Sequence, residues 1–133
     1  MPKFEQIALR FFQARNLPLV SHNKTAPGLL YRPDFVFRRD DRLVIVECDE
    51  EQHSRYCKKK ERIREEKILL AYQQHTGLDP KIIRYDPQPV GERACVRASF
   101  VADIVNRELY GLQHTPTVLK MCQFVGKHKI IVY

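Results

Sequence analysis

Apolar positions change period several times along the chain, and each change marks an element. From Lys3 to Arg15 they fall at Phe4, Ile7, Ala8, Phe11 and Phe12, the spacing of one helical face, and Asn16 and Pro18 end the pattern. The turn-rich stretch from Leu17 to Tyr31 reads as a loop with a short strand near Leu17 to Val20. Two runs rich in Val, Ile and Phe follow, Asp34 to Arg38 and Leu43 to Cys48; the polar Arg39, Asp40, Asp41 and Arg42 between them predict a hairpin. A long helix comes next, with Ser54 as its N-cap and Gly77 as its stop, and Tyr56, Ile63, Leu69, Leu70 and Ala71 are expected to face the sheet. Lys81 to Tyr85 predicts a third strand, so strand, helix and strand make a βαβ-like unit. Residues 87–97 read as a loop and Ser99 to Tyr110 as a second helix stopped by Gly111. The end of the chain, TVLKMCQF then KHKIIVY, reads as a closing hairpin.

The hairpin register follows from its turn. A symmetric turn centred between Asp40 and Asp41 sets Phe37 against Val44, Phe35 against Val46 and Asp34 against Glu47. Directly opposed residues project to the same face with Cβ atoms about 5 Å apart. Alternation adds Asp49 to that face and turns Val44, Val46 and Cys48 into the core. Three acids therefore converge at one end of the hairpin, and facing carboxylates repel unless a cation lies between them or one holds a proton. A slip of one residue in the turn would send Asp34 to the other face.

Charge and composition narrow the picture. The 133 residues predict a single domain spanning 1–133, and the 23 Lys and Arg against 16 Asp and Glu, net +7, suit either a polyanionic partner or simply a soluble basic protein. Residues 55–67 hold seven basic and three acidic side chains, either a solvated helix face with i,i+4 ion pairs or a phosphate-binding surface carried by Lys58, Lys59 and Arg62. No apolar run has the length of a membrane span and the N-terminus MPKFEQ has no signal-peptide core, so the chain is expected inside the cell, in cytoplasm or nucleus, neither secreted nor membrane-bound. The four cysteines form no CxxC pair and are expected to be reduced and mostly buried.

Paired carboxylates with an open face suit Mg2+, which takes oxygen ligands and is usually held by one or two carboxylates plus substrate phosphate; Mn2+ should substitute. Asp34 and Glu47 are the expected ligands, with the backbone carbonyl of Cys48 in reach. His53, at the loop-to-helix junction, either is a surface histidine or moves a proton to or from the reacting oxygen. Glu5 either favours the helix dipole from the first turn or joins the site.

Two motifs then point to a family. Pro33-Asp34, twelve residues, and Glu47-x-Asp49 resemble the metal-binding core of the PD-(D/E)xK nuclease superfamily. Arg32-Pro33-Asp34-Phe35-Val36 followed by Glu47-Cys48-Asp49-Glu50-Glu51-Gln52-His53 resembles the branch that contains very-short-patch-repair endonucleases and EDxHD homing endonucleases. The resemblance spans about Lys3 to Asp86. It implies an α/β, restriction-endonuclease-like fold, with a central mixed β-sheet, a β-hairpin carrying the acids and flanking helices. The core would lie at about 3–86, followed by a C-terminal helix and hairpin at 99–133. It also implies Glu5 in the site, Gln52 supporting it, and a strand end matching Arg84-Tyr85, with Arg84 a candidate phosphate contact. Departures are specific: Asp49 stands where the family's lysine is usual, and Glu50 replaces a glycine. The structural zinc site of the repair enzymes has no full ligand set here, Cys57 and His53 being at best half of one.

The resulting expectation is an Mg2+-dependent DNA endonuclease, with RNA left open as a substrate and a homodimer or recruiting protein as a source of specificity. Asp34 and Glu47 hold the metal, Asp49 assists ligation or orients water, and His53 is the acid or base. The rival is a non-catalytic nucleic-acid-binding module on the same fold, which the missing lysine favours and the paired carboxylates oppose.

Overall fold

The computed structural model describes residues 3–48, 58–87 and 94–132, with Lys58 by its backbone alone. Helix α1 (Lys3–Ala14) buries Glu5, Ala8 and Phe12 on one face. It closes at Asn16, whose φ of 53° lies in the left-handed region that a short polar side chain tolerates. The short strand expected after it is β1 (Leu19–His22), which lies two residues further on than the sequence suggested.

Strands β2 (Phe35–Arg39) and β3 (Arg42–Cys48) form the hairpin in the predicted register, Phe35 against Val46 and Phe37 against Val44. Asp40 takes the turn with φ 51°, a conformation Asp reaches at low cost. Helix α2 (Lys58–Thr76) stops where the glycine predicts: Gly77 has φ 72° and its N–H donates to the Gln73 carbonyl at 2.8 Å. Strand β4 (Pro80–Tyr85) runs parallel to β3, with Ile82 beside Ile45 and Arg84 beside Glu47, so the βαβ unit is formed.

Helix α3 (Ala94–Tyr110) begins before the expected Ser99, because Arg97 and Ala98 continue its buried face backwards. The closing hairpin needs a correction. Its first arm is only β5 (Cys122–Val125), paired with β6 (Lys129–Val132), and the residues before it form α4 (Pro116–Met121). Thr115 explains the difference: its side chain accepts the Val118 N–H at 3.3 Å and Pro116 occupies the first turn, so the local capping chemistry overrides the β-branched composition. Thr115→Ala is expected to cost about 1 kcal/mol by urea unfolding. An unchanged midpoint would show that the packing of Val118 alone forms this helix.

The six strands form one mixed sheet in the order β1-β2-β3-β4-β6-β5, with β3, β4 and β6 mutually parallel and the other pairings antiparallel. One face packs against α1 and α3. Phe12 sits edge-on to Phe35 and Phe37, with ring centroids 4.9 and 5.0 Å apart, and Val44, Val46, Ile83, Val101 and Val105 close the layer. The other face carries Val36, Ile45 and Ile82 under Ile68 and Tyr72 of α2. The α/β class and the mixed, helix-flanked sheet are therefore those expected.

The orientation of α2 is not. Ile63 and Leu70, expected to face the sheet, are 40% and 52% exposed, while Glu65, Ile68 and Tyr72 are turned inward. Tyr56 lies outside the described residues. A helix this polar has little apolar surface to set its rotation, and its acids and arginines meet partners on the sheet instead. Of the described cysteines Cys122 is buried, Cys48 half-buried and Cys95 exposed, so burial is less general than expected; all three are free thiols. Among the described residues no helix is long and apolar enough to cross a membrane.

Candidate active site at the end of the β2–β3 hairpin

Two backbone contacts tie Asp34 down where β2 begins. Its carbonyl accepts the Asn23 N–H at 2.9 Å, and its Oδ2 accepts the Cys48 N–H at 2.7 Å across the hairpin. Continuing the β2–β3 register by one residue sets it against Glu47, on the α2 side of the sheet, while Val46 and Cys48 turn to the α1–α3 side. The paired register itself runs from Phe35 with Val46 to Arg39 with Arg42, and Asp34, just before β2, is near enough for its charge to act on Glu47. Asp49, Gln52 and His53 lie outside the described residues, as does the side chain of Lys58.

Glu47 is 5% exposed, and its Oε1 accepts from Arg64 Nη1 at 3.1 Å. Burial, and after it the charge of Asp34, pushes its carboxyl from 4.5 up to about 8, against the opposite pull of Arg64 and Arg84. Without a cation, Glu47 therefore keeps its proton at neutral pH. Glu47 also stands near Tyr72: burial raises that phenol, a hydrogen bond from Ser21 lowers it, and the Glu47 charge raises it further.

On the opposite side of the strand end, Tyr85 is buried, and burial pushes its phenol well above the ordinary value. Cys48, Asp34 and Glu5 add to the shift in that order. The charges of Asp34 and Glu5 thus both act on this phenol, and Glu5 is buried on α1, which packs on the same face of the sheet as Tyr85. The site wraps around the end of β3, with Asp34 and Glu47 toward α2 and Glu5 toward α1.

Lys59 and Arg62 are exposed on α2, where a phosphate can reach them. Arg84, also expected to be a phosphate contact, is 6% exposed. Its Nη1 donates to Glu65 at 2.6 Å and Glu61 at 3.2 Å. The reason is topological: β4 is an interior strand between β3 and β6, so a residue on its α2 face lies beneath the helix. Glu65 also accepts from Lys129 at 2.8 Å.

The sequence reading counted Arg64 only as one cation among seven, and it missed Glu65 as an inward carboxylate. A signal for Glu65 was present, since it shares the i, i+3, i+7 row of Ile68 and Tyr72. Arg64 had none, because its partners are distant from it in sequence. Its Nη2 reaches the Arg32 carbonyl at 3.4 Å and its guanidinium lies 5.7 Å from the Tyr31 ring centre.

Among the described residues no three His, Cys, Asp or Glu side chains gather closely enough to hold a metal ion. Asp34 and Glu47 form a pair of hard oxygen donors whose mutual repulsion a cation would relieve, and in donor chemistry this pair fits Mg2+. Comparison with family models, curated proteins and solved structures finds no match to this chain.

Proposed function

We propose that the chain is an Mg2+-dependent DNA endonuclease of restriction-endonuclease-like fold, with Mn2+ able to replace Mg2+. The observation that carries this reading is the juxtaposition of Asp34 and Glu47 at the hairpin end. There one carboxyl is so crowded by burial and by its neighbour's charge that it titrates near 8. A pair of acids is a poor device for attracting a polyanion by itself. It becomes a good one when a cation binds between the acids and the phosphate.

Asp34, Glu47 and the backbone carbonyl of Cys48 would hold the ion. Once bound, it supplies polarisation of the phosphodiester and a lower pKa for the attacking water. The chain's own groups do the rest. Glu47 would release its proton to solvent and lose the hydrogen bond it accepts from Arg64. His53 takes a proton from the water or gives one to the leaving oxygen, and Asp49 orients the water. Glu5 and Gln52 support the acids, and Lys58, Lys59 and Arg62 hold flanking phosphates.

A second reading, a nucleic-acid-binding module without catalysis, is favoured by one observation: the Arg64 guanidinium already satisfies Glu47. Incubating supercoiled DNA, single-stranded DNA and RNA with the protein and Mg2+ or Mn2+ separates the two. Cleavage is expected from the wild type, with none from Asp34→Ala or Glu47→Ala and a marked reduction in His53→Ala. Activity that survives all three changes would remove the site assignment, and retained DNA binding without any cleavage would favour the second reading.

A further inference from the structure

We propose that Arg64 is a phosphate-binding residue held in reserve: in the cation-free protein it occupies Glu47, and cation binding at Asp34 and Glu47 releases it to the substrate phosphate. This inference rests on the nuclease reading and extends it to a residue that neither motif contains.

Arg64 and a divalent cation compete for the same carboxylate. Nη1 sits 3.1 Å from Glu47 Oε1, and a cation bound to that carboxylate would face the guanidinium at close range. The arginine's other attachments are weak enough to let it go. Nη2 makes a long contact of 3.4 Å to the Arg32 carbonyl, the side chain is 23% exposed, and Tyr31 offers an aromatic face at 5.7 Å. Arg84 is the contrast: buried and engaged by two carboxylates, it has no comparable freedom.

Released, the planar fork of Arg64 would stay within reach of the acids' surroundings, and such a fork matches a phosphate in two hydrogen bonds. The arrangement keeps the cation-free site from presenting a bare carboxylate pair, and couples cation entry to the appearance of a substrate ligand. Lys59 and Arg62, exposed on the same helix, bind phosphate with or without the cation.

The test is the salt dependence of binding to a short DNA duplex, measured at pH 9 for wild type and Arg64→Gln, in EDTA and in excess Ca2+, a hard cation with the same oxygen preference. In EDTA the two proteins are expected to share one slope of log K against log salt. In Ca2+ the wild-type slope should be steeper by about 0.9, one phosphate contact. A slope difference present in both conditions, or in neither, overturns the proposal. If Ca2+ leaves wild-type binding unchanged, the cation reading falls and this inference with it. If Ca2+ alters wild type and Arg64→Gln equally while Asp34→Ala loses the effect, only this inference falls. Should Arg64→Gln fail to fold, the arginine side-chain 15N signals of the wild type give the same answer: the Arg64 signal is expected to move on adding Ca2+ and again on adding duplex, and a fixed signal overturns the proposal.

Discussion

Glu47→Gln is expected to lower Mg2+-dependent cleavage about a thousandfold, the several kcal/mol that a bound metal contributes, while making the cation-free protein more stable than wild type at pH 8. Both effects come from one carboxyl. Its ordinary value of 4.5 is raised to about 8 in the fold, first by burial and then by Asp34. Between those values the folded chain binds a proton that the unfolded chain has released, so stability falls as pH rises. The contribution of Glu47 is fully present below 4.5 and is lost by the time pH passes 8.

Each pH unit across that window changes stability by about 1.4 kcal/mol. Glutamine mimics the protonated acid and does not titrate. Urea unfolding in EDTA from pH 5 to pH 8 should therefore show the wild type falling away from the variant by on the order of 4 kcal/mol. Parallel curves would mean that Glu47 does not carry this proton. Adding Mg2+ at pH 8 should restore stability to the wild type alone, since an ion that binds only the folded acid pair stabilises by mass action. A site that attracts a cation at the expense of its own stability is the physical form of the function proposed for it.

Arg84→Met is expected to cost about 3 kcal/mol, because removing one partner of a buried ion pair leaves the other uncompensated. Arg84 and Glu65 are each 8% exposed and 2.6 Å apart, and the Arg84 Nη1 also meets Glu61 at 3.2 Å. The retained contact between Lys129 and Glu65 at 2.8 Å holds the loss to the lower end of the usual range. Combining Arg84→Met with Glu65→Leu should recover most of the loss, since replacing both members of a buried ion pair leaves neither charge uncompensated. A double-mutant cycle in urea measures the coupling. If Arg84→Met costs less than about 1 kcal/mol, or if the two changes simply add, this ion network does not seat α2 on the sheet.

These outcomes bear on how the chain could be read. The register of the hairpin was legible because a two-residue turn leaves a single pairing: Phe35 with Val46 and Phe37 with Val44 follow from counting outward from Asp40 and Asp41. The parallel placement of β4 was legible in the strand, helix, strand order. The rotation of α2 was not legible. Apolar spacing is a reliable guide only where burial of apolar area dominates, and along this helix the hydrogen bond of Arg64 to Glu47 and the ion pairs of Glu65 with Arg84 and Lys129 outweigh Ile63 and Leu70. The helix at Pro116–Met121, where the sequence predicts a strand, depends on the cap at Thr115.

The same division holds at the site. By itself the sequence determined which acids share a strand end, because Asp34 and Glu47 belong to one hairpin and their relation is a matter of local counting. Only the tertiary structure decided what surrounds them. Arg64 reaches Glu47 from α2, Arg84 lies beneath that helix, and Glu5 comes in from α1 on the other face. Those distances depend on how the helices pack across the sheet, and on an electrostatic balance between burial and charge that no stretch of neighbouring residues contains.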